Sequence, residues 1–280
     1  MDAPHNQVFF PSTLAELFSA WSRFPNAVPY AGGTELAYGQ GSKLMDLPSN
    51  IISLDKIQEL HKITRTERYI EIGTMVRLND LIRIGKIVPE ILRSTIKEIA
   101  SPPLRNVATI GGNICYAKRT LDTHAPLIAL DARYELKTAT ASRWVAAARF
   151  NAKDDSTSAL DKQELLTRIR IPLETWDYII FRKFEKKHFG SHQNGVVVFI
   201  AKVQKNIIGD VRLVFAGDSI IRNRDFEAGL SGKQLPLDRK TAQNFTGLWD
   251  TYLSGLEYPG GILREKILNF IRITLQDMTD

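Results

Sequence analysis

The chain has 280 residues, 44% of them hydrophobic and 24% charged, the proportions of a globular chain that can bury a core in one large domain or two modest ones. Its net charge is +6, but Lys and Arg are scattered rather than gathered into the dense runs of a nucleic-acid tail, so a nucleic-acid partner is set aside. The single cysteine, Cys115, excludes an intrachain disulfide and an iron–sulfur cluster held by this chain's own thiolates. No apolar run reaches the length of a membrane span, and the polar start (Asp2, His5, Asn6, Gln7) lacks a signal-peptide core, so the expected compartment is cytoplasmic.

Thr13-Leu14-Ala15-Glu16 reads as a capping box, and Leu14, Leu17, Phe18 and Trp21 follow at helical spacing, so the first element is an amphipathic helix ended by Pro25-Asn26. Ala27 to Tyr30 is a short strand candidate. Ile51 to Leu54 and Tyr69 to Gly73 read as further strands. Asn79 to Ile82 starts a helix, and Pro89 to Ala100 is another, with Ile91, Leu92, Ile96 and Ile99 on one side and Pro102-Pro103 as its stop. Pro126 opens a short helix through Leu130. Strands follow around Tyr134 to Leu136 and Leu165 to Ile171, separated by 146–162, which reads as a surface excursion.

After Pro172 the pattern changes. Tyr178 to Phe181, Val196 to Ala201 and Val211 to Phe215 are three successive strands, with Asn206 to Gly209 in the turn between the last two. The remainder reads as helical, with apolar stripes at Phe245, Leu248, Trp249, Tyr252 and at Ile267, Phe270, Ile271, Leu275. The expected class is therefore α+β, ending in a three-stranded antiparallel sheet packed by helices.

Two glycine loops carry the chemistry. Each has an apolar residue, a Gly-Gly pair and a small polar residue: Ala31-Gly32-Gly33-Thr34 and Ile110-Gly111-Gly112-Asn113. Paired glycines let backbone N–H groups converge on one point, which suits a phosphate, so two loops suggest a pyrophosphate gripped from both sides. Neither loop has the spacing of a GxGxxG or Walker A sequence. His188 and His192 stand four apart, but no third ligand is evident and no metal site is assigned. No acid–base or nucleophilic pair stands out, so no catalytic residue is assigned.

These residues resemble the FAD-binding subunit of the molybdenum hydroxylases, as in the medium subunit of carbon monoxide dehydrogenase and the flavin domain of xanthine dehydrogenase. The resemblance rests on Pro11-Ser12 with Glu16, on Ala31 to Leu36, and on Ile99-Ala100-Ser101 with Arg105-Asn106 and Ala108 to Asn113. Asp122 with Leu127 to Ala132, Glu164 to Pro172, and Phe181-Arg182-Lys183 complete it. It implies a two-part FAD-binding domain over 1–175 (subdomains about 1–55 and 56–175), of the type shared with vanillyl-alcohol-oxidase-like flavoproteins, and a C-terminal domain over 176–280.

As the resemblance implies, Ala31, Gly32, Gly33, Thr34, Glu35 and Leu36 would meet the FAD pyrophosphate. Thr109, Gly111, Gly112 and Asn113 would close over the diphosphate and ribityl chain. Asp122 would contact the cofactor, Leu166 would lie near the isoalloxazine ring, and Lys183 would stand beside the flavin. The partners implied are a [2Fe-2S] subunit and a molybdenum-cofactor subunit, with NAD or another soluble electron acceptor. Lys118-Arg119-Thr120-Leu121 replaces the small Pro/Gly loop of the family. That departure keeps two alternatives open: a non-catalytic assembly subunit, or a stand-alone flavoprotein oxidase.

Overall fold

The computed structural model describes residues 7–40, 47–116, 120–150, 160–184 and 194–279. Lys118-Arg119, His188 and His192, all weighed above, lie outside the described residues. Contacts divide the chain into two compact units. One holds Met1–Pro89, Ile99–Ala117 and Asp131–Leu173; the other holds Glu90–Glu98, Lys118–Leu130 and Glu174–Asp280. Two segments from the first half of the chain thus group with the C-terminal residues.

The first unit contains two sheets. A parallel three-stranded sheet has the order Gln7–Phe9, Asn50–Ser53, Val28–Tyr30. The Leu14–Arg23 helix buries Leu17, Phe18 and Trp21 in one cluster with Ile52 and Leu54. Its start is doubly tied, with Glu16 N–H donating to Thr13 Oγ1 at 3.1 Å and Ser12 N–H to Glu16 Oε2 at 2.7 Å. This is the reciprocal satisfaction of orphan donors that the sequence signature implies, displaced by one residue on the return bond.

The second sheet is antiparallel, ordered Ile63–Arg65, Tyr69–Gly73, Leu165–Pro172, Arg133–Lys137, Ser142–Ala146. Alternation gives it two unlike faces. Ile70, Ile72, Ile169, Ile171 and Tyr134 are fully buried on one. On the other, Arg168 bridges Glu71 (3.0 Å) and Glu135 (2.8 Å), and Arg170 reaches Glu71 at 2.6 Å. Burial pushes the Glu135 carboxyl up, but hydrogen bonds from Arg168 and Thr167 outweigh it and leave the group below its ordinary value.

The 146–162 excursion is corrected in part. Ser142–Ala146 is a strand and Ala147–Phe150 a short helix, with Phe150 buried edge-on against Tyr134, ring centroids 5.1 Å apart. Residues 151–159 lie outside the described residues. The prolines at 102 and 103 do not end the preceding helix, which closes at Lys97; they open a new one, Pro102–Arg105. Pro is suited to that position because a first-turn N–H has no helical partner.

The second unit is built on a four-stranded antiparallel sheet, ordered Ile220–Arg222, Ile207–Ala216, Gly195–Gln204, Tyr178–Phe184. The three-stranded expectation is corrected: Ile220–Arg222 adds an edge strand too short to show a period. The turn expectation shifts as well. Lys205 and Asn206, both with positive φ (50° and 60°), make a two-residue hairpin turn, and Ile207 to Gly209 already belong to the strand. Consecutive left-handed residues give the twist that a tight hairpin needs.

Val197, Phe199, Leu213 and Phe215 pack with Phe245, Trp249, Ile267 and Ile271 of the Arg239–Ser254 and Gly261–Gln276 helices. Leu248, placed in the apolar stripe by spacing, is 50% exposed. The alternate residues Val196, Val198, Ile200 and Val214 are also fully buried; the His124–Ala129 helix packs on their two strands, and the Glu90–Lys97 helix on the neighbouring Tyr178–Phe184 strand. Coverage on both faces explains why 196–201 reads as an unbroken apolar run. The His124–Ala129 helix is held at its C-terminal end, where Arg212 donates to Ala129 O at 2.7 Å and Arg222 to Ile128 O at 3.2 Å. Cations there satisfy the last carbonyls of a helix.

His124 is 1% exposed, and burial lowers its imidazole from 6.5 to about 4. Between those values the unfolded chain binds the proton and the folded one does not. Stability is therefore full above pH 6.5 and falls on acidification, by about 3 kcal/mol in this group's share. Urea unfolding at pH 7 and pH 4.5 should show this loss, and His124→Gln should flatten it.

Candidate functional site

The first glycine loop begins where the Val28–Tyr30 strand ends and leads into the Thr34–Gln40 helix. Gly33 has φ +65°, the left-handed region where a side chain is strained, and the Tyr30 hydroxyl lies over it: an added Cβ would stand 2.0 Å from Tyr30 Oη. Gly32 has a different reason to be glycine. A Cβ there would stand 2.1 Å from Val107 O and 3.3 Å from Ala108 Cα. The two glycine loops, distant in sequence, are therefore in backbone contact within the first unit.

The second loop is fixed along its length. Leu78 N–H donates to Ala108 O, Ile110 N–H to Val76 O, and Gly111 N–H to Thr74 O, at 2.9, 3.0 and 2.9 Å. Gly111 is locked against Thr74, whose Oγ1 would stand 1.5 Å from a Cβ. Thr109 caps the Ile110–Ile114 helix by accepting from Gly112 N–H at 3.1 Å. Upstream, Arg105 donates to Ile99 O (2.8 Å) and Ala100 O (2.9 Å), holding Ala100 at φ +48°.

These bonds revise the symmetric grip expected from sequence. The N–H groups of Gly111, Gly112 and Asn113 donate to Thr74 O, Thr109 Oγ1 and Thr109 O. They are used by the fold itself. Among the described residues, the N–H groups of Gly32, Gly33 and Thr34 donate to no protein acceptor. The first loop thus supplies the donors and the second forms a rigid wall. The contrast was not legible because both runs have the same residue types, and only the Thr74–Leu78 segment distinguishes them.

Between the loops the first unit holds a cavity of about 370 Å³. Tyr30, Ala31 and Gly32 line it from the first loop, and Asn106, Val107 and Thr109 from the second. Ser53, Asp55, His61, Met75 and Arg77 complete the wall. His61 Nε2 is 2.9 Å from Asp55 O, and Asn79 donates to Asn106 Oδ1 at 2.6 Å, so two polar side chains of the rim are oriented by neighbours. Ser53, Asp55, His61 and Arg77 were missed from sequence. They come from a strand end, a turn, the end of the Gln58–His61 3-10 helix and a helix cap, and no shared motif marks them.

The remaining sequence candidates fall in two places. Asp122 and Lys183, in the second unit, form an ion pair at 2.9 Å, and Lys183 Nζ also donates to Glu98 O at 3.0 Å. Leu166, on the Leu165–Pro172 strand, is 1% exposed. A register shift between Glu135 and Leu136 pairs it with Leu136, so it does not share the face of Arg168 and Arg170. Thr34, Glu35 and Leu36 are half-buried, and Thr109 and Asn113 are buried. Burial pushes the Cys115 thiol up to about 12, which makes it a packing group and not a nucleophile.

The fit to a dinucleotide rests on this cradle. A Cβ at Gly32 would meet the Val107 carbonyl at the cavity edge, one at Gly33 the Tyr30 ring, and one at Gly112 would stand 3.0 Å from Thr109 Oγ1 and 3.9 Å from Ala31 Cβ. Gly32→Ala should destabilise the chain by about 1–3 kcal/mol, because the obstructing atom is a backbone carbonyl that cannot rotate away. Gly247→Ala is the control: it lies inside an exposed helix turn with nothing within 4 Å and should stabilise by about 1 kcal/mol. Thermal unfolding of the two variants, giving shifts of opposite sign, checks both.

The family model for the FAD binding domain in molybdopterin dehydrogenase matches residues 4–174. The chain is 28% identical over 214 residues to the glyceraldehyde dehydrogenase medium chain of Sulfolobus acidocaldarius, covering 75% of each. It is 30% identical over 206 residues to indole-3-acetaldehyde oxidase of Zea mays, covering 69% of this chain and 15% of that protein. Among solved structures, quinoline 2-oxidoreductase from Pseudomonas putida 86 shares the fold, with a TM-score of 0.80 and 21% identity across 100% of this chain and 97% of that one. Two loops in backbone contact, a cavity between them and a family model spanning well over half of the sequence agree, and the chain belongs to the family of FAD-binding domains of molybdopterin dehydrogenases.

Proposed function

We propose that the chain is the flavin subunit of a multi-subunit molybdenum hydroxylase, receiving electrons from the [2Fe-2S] clusters of one partner and passing them to a soluble acceptor such as NAD⁺ or a quinone. A further partner carries the molybdenum cofactor and the substrate. The observation that carries this reading is the contact of Gly32 with the Val107 carbonyl, which brings both glycine loops to one cavity. The match of the chain to 75% of a protein named as a medium chain supports the subunit reading. We read the two sheets of the first unit as the two-part FAD domain shared with vanillyl-alcohol-oxidase-like flavoproteins.

The roles divide by donor type. The backbone of Ala31 to Leu36 holds the diphosphate through N–H groups, with the Thr34 hydroxyl beside them. Glu35 belongs to the same turn. Thr109 and Asn113 face the cofactor with side chains, while Gly111 and Gly112 keep the wall low enough for it to approach. The bound flavin supplies the redox chemistry, because it can take electrons singly and release them as a pair. Asp122 and Lys183 are assigned to the flavin by resemblance. The chain has no proton-transfer task in this reading; it binds, orients and shields.

The purified chain should take up one equivalent of FAD and show absorption bands near ~370 and ~450 nm. Adding a reduced [2Fe-2S] partner should bleach them without any other enzyme. A folded chain that stays colourless in excess FAD sinks the reading.

A further inference from the structure

The cavity wall contains a cation that the family resemblance does not assign. Arg77 lines it beside Thr109, with which it forms an isolated antiparallel bridge. Its backbone is held firmly: its carbonyl accepts from Asp80 N–H at 3.1 Å and Leu81 N–H at 3.3 Å, as the cap of the Leu78–Arg83 helix. Its side chain is not. Arg77 is exposed, and among the described residues its guanidinium forms no ion pair and no hydrogen bond, as for other exposed arginines such as Arg65 and Arg133; what sets it apart is its place in the cavity wall. A guanidinium on an anchored stem at a cavity, with its fork uncommitted, has the donors to meet an anion there.

Its surroundings say which anion part it meets. The cavity's one carboxylate, Asp55, stands with His61, whose ring is oriented by Asp55 O. A phosphate is repelled from that group, while hydroxyls and an exocyclic amine are suited to it. The first loop's uncommitted N–H groups and Arg77 are the complementary set for phosphate oxygens. We propose that Arg77 is the side-chain cation of this cavity, forming charge-assisted hydrogen bonds to the diphosphate of the bound dinucleotide and thereby setting the affinity for FAD. This rests on the flavin reading above and adds to it a residue outside both glycine runs.

The test is FAD titration of the full flavin-free chain, followed by flavin fluorescence, for wild type, Arg77→Lys and Arg77→Ala at low and high salt. Circular dichroism of each variant checks the fold. Arg77→Ala should weaken FAD binding by about 10- to 100-fold at low salt, and the gap should shrink as salt screens the wild-type contact. Arg77→Lys should recover part of the loss, since it keeps the charge but not the fork. An Arg77→Ala chain that binds FAD as wild type does overturns the proposal. So does a loss that is independent of salt and equal in Arg77→Lys, which would mark a structural role. A wild-type chain that binds no FAD overturns the flavin reading itself and this inference with it, so the two failures are told apart.

Discussion

The close approach of Gly32 to the Val107 carbonyl is the constraint on which the site depends. Backbone can touch backbone only where no Cβ intervenes, and here a single added carbon would stand 2.1 Å from a carbonyl oxygen. The rest of the first unit secures the two sides of that contact. The Leu14–Arg23 helix and the parallel sheet fix the first loop, whose strand hydrogen-bonds onward through Leu54 N–H to Tyr30 O at 3.0 Å. The Thr74–Leu78 segment fixes the second by a ladder of its own. Each loop is thus shaped before a ligand arrives, which lowers the ordering cost of binding.

Polar groups elsewhere are used to stiffen rather than to react. On one face of the five-stranded sheet, Arg168 joins two carboxylates from strands on either side, and Arg170 lies over both Tyr69 and Trp144, 4.6 and 4.1 Å from their ring centres. The pairs are partly exposed, so each alone contributes little, but together they fix the register of three strands. In the second unit Glu227 does similar work. It accepts from Arg222 and from Leu213 N–H, and so connects a sheet strand, an edge strand and the arginine that caps the His124–Ala129 helix. Its carboxyl is raised by burial, against the opposing hydrogen bonds of Arg222.

Much of this was legible, and the pattern of what was not is physical. Long periodic segments such as Leu14–Arg23, Leu165–Pro172 and Gly261–Gln276 follow from apolar spacing. The strands missed, Gln7–Phe9, Ile63–Arg65, Ser142–Ala146 and Ile220–Arg222, lie at sheet edges, where partial exposure leaves no hydrophobic period. Leu248 was misplaced because helical spacing gives a stripe but not its width. The glycine loops were visible as motifs, yet their unequal roles depend on Thr74 and Val76, which look like any strand-end residues. Arg77 was invisible for the same reason: its place in the cavity wall is a property of contacts and not of spelling.

The unequal roles of the two loops bear on how they work together. A backbone N–H shut away from water without an acceptor costs about 1–3 kcal/mol, so the uncommitted donors of Gly32, Gly33 and Thr34 are tolerable only while water reaches them. Covering them with an apolar group would be unfavourable; covering them with an acceptor-rich one would not. The same holds for Arg77, whose charge resists burial unless an anion accompanies it. The second loop, with its N–H groups already satisfied, imposes no such demand and can serve as the surface on which the less polar parts of a ligand rest. In the flavin reading proposed above, the backbone donors that call for an anion then belong to the first wall, while those of the second are already used by the fold.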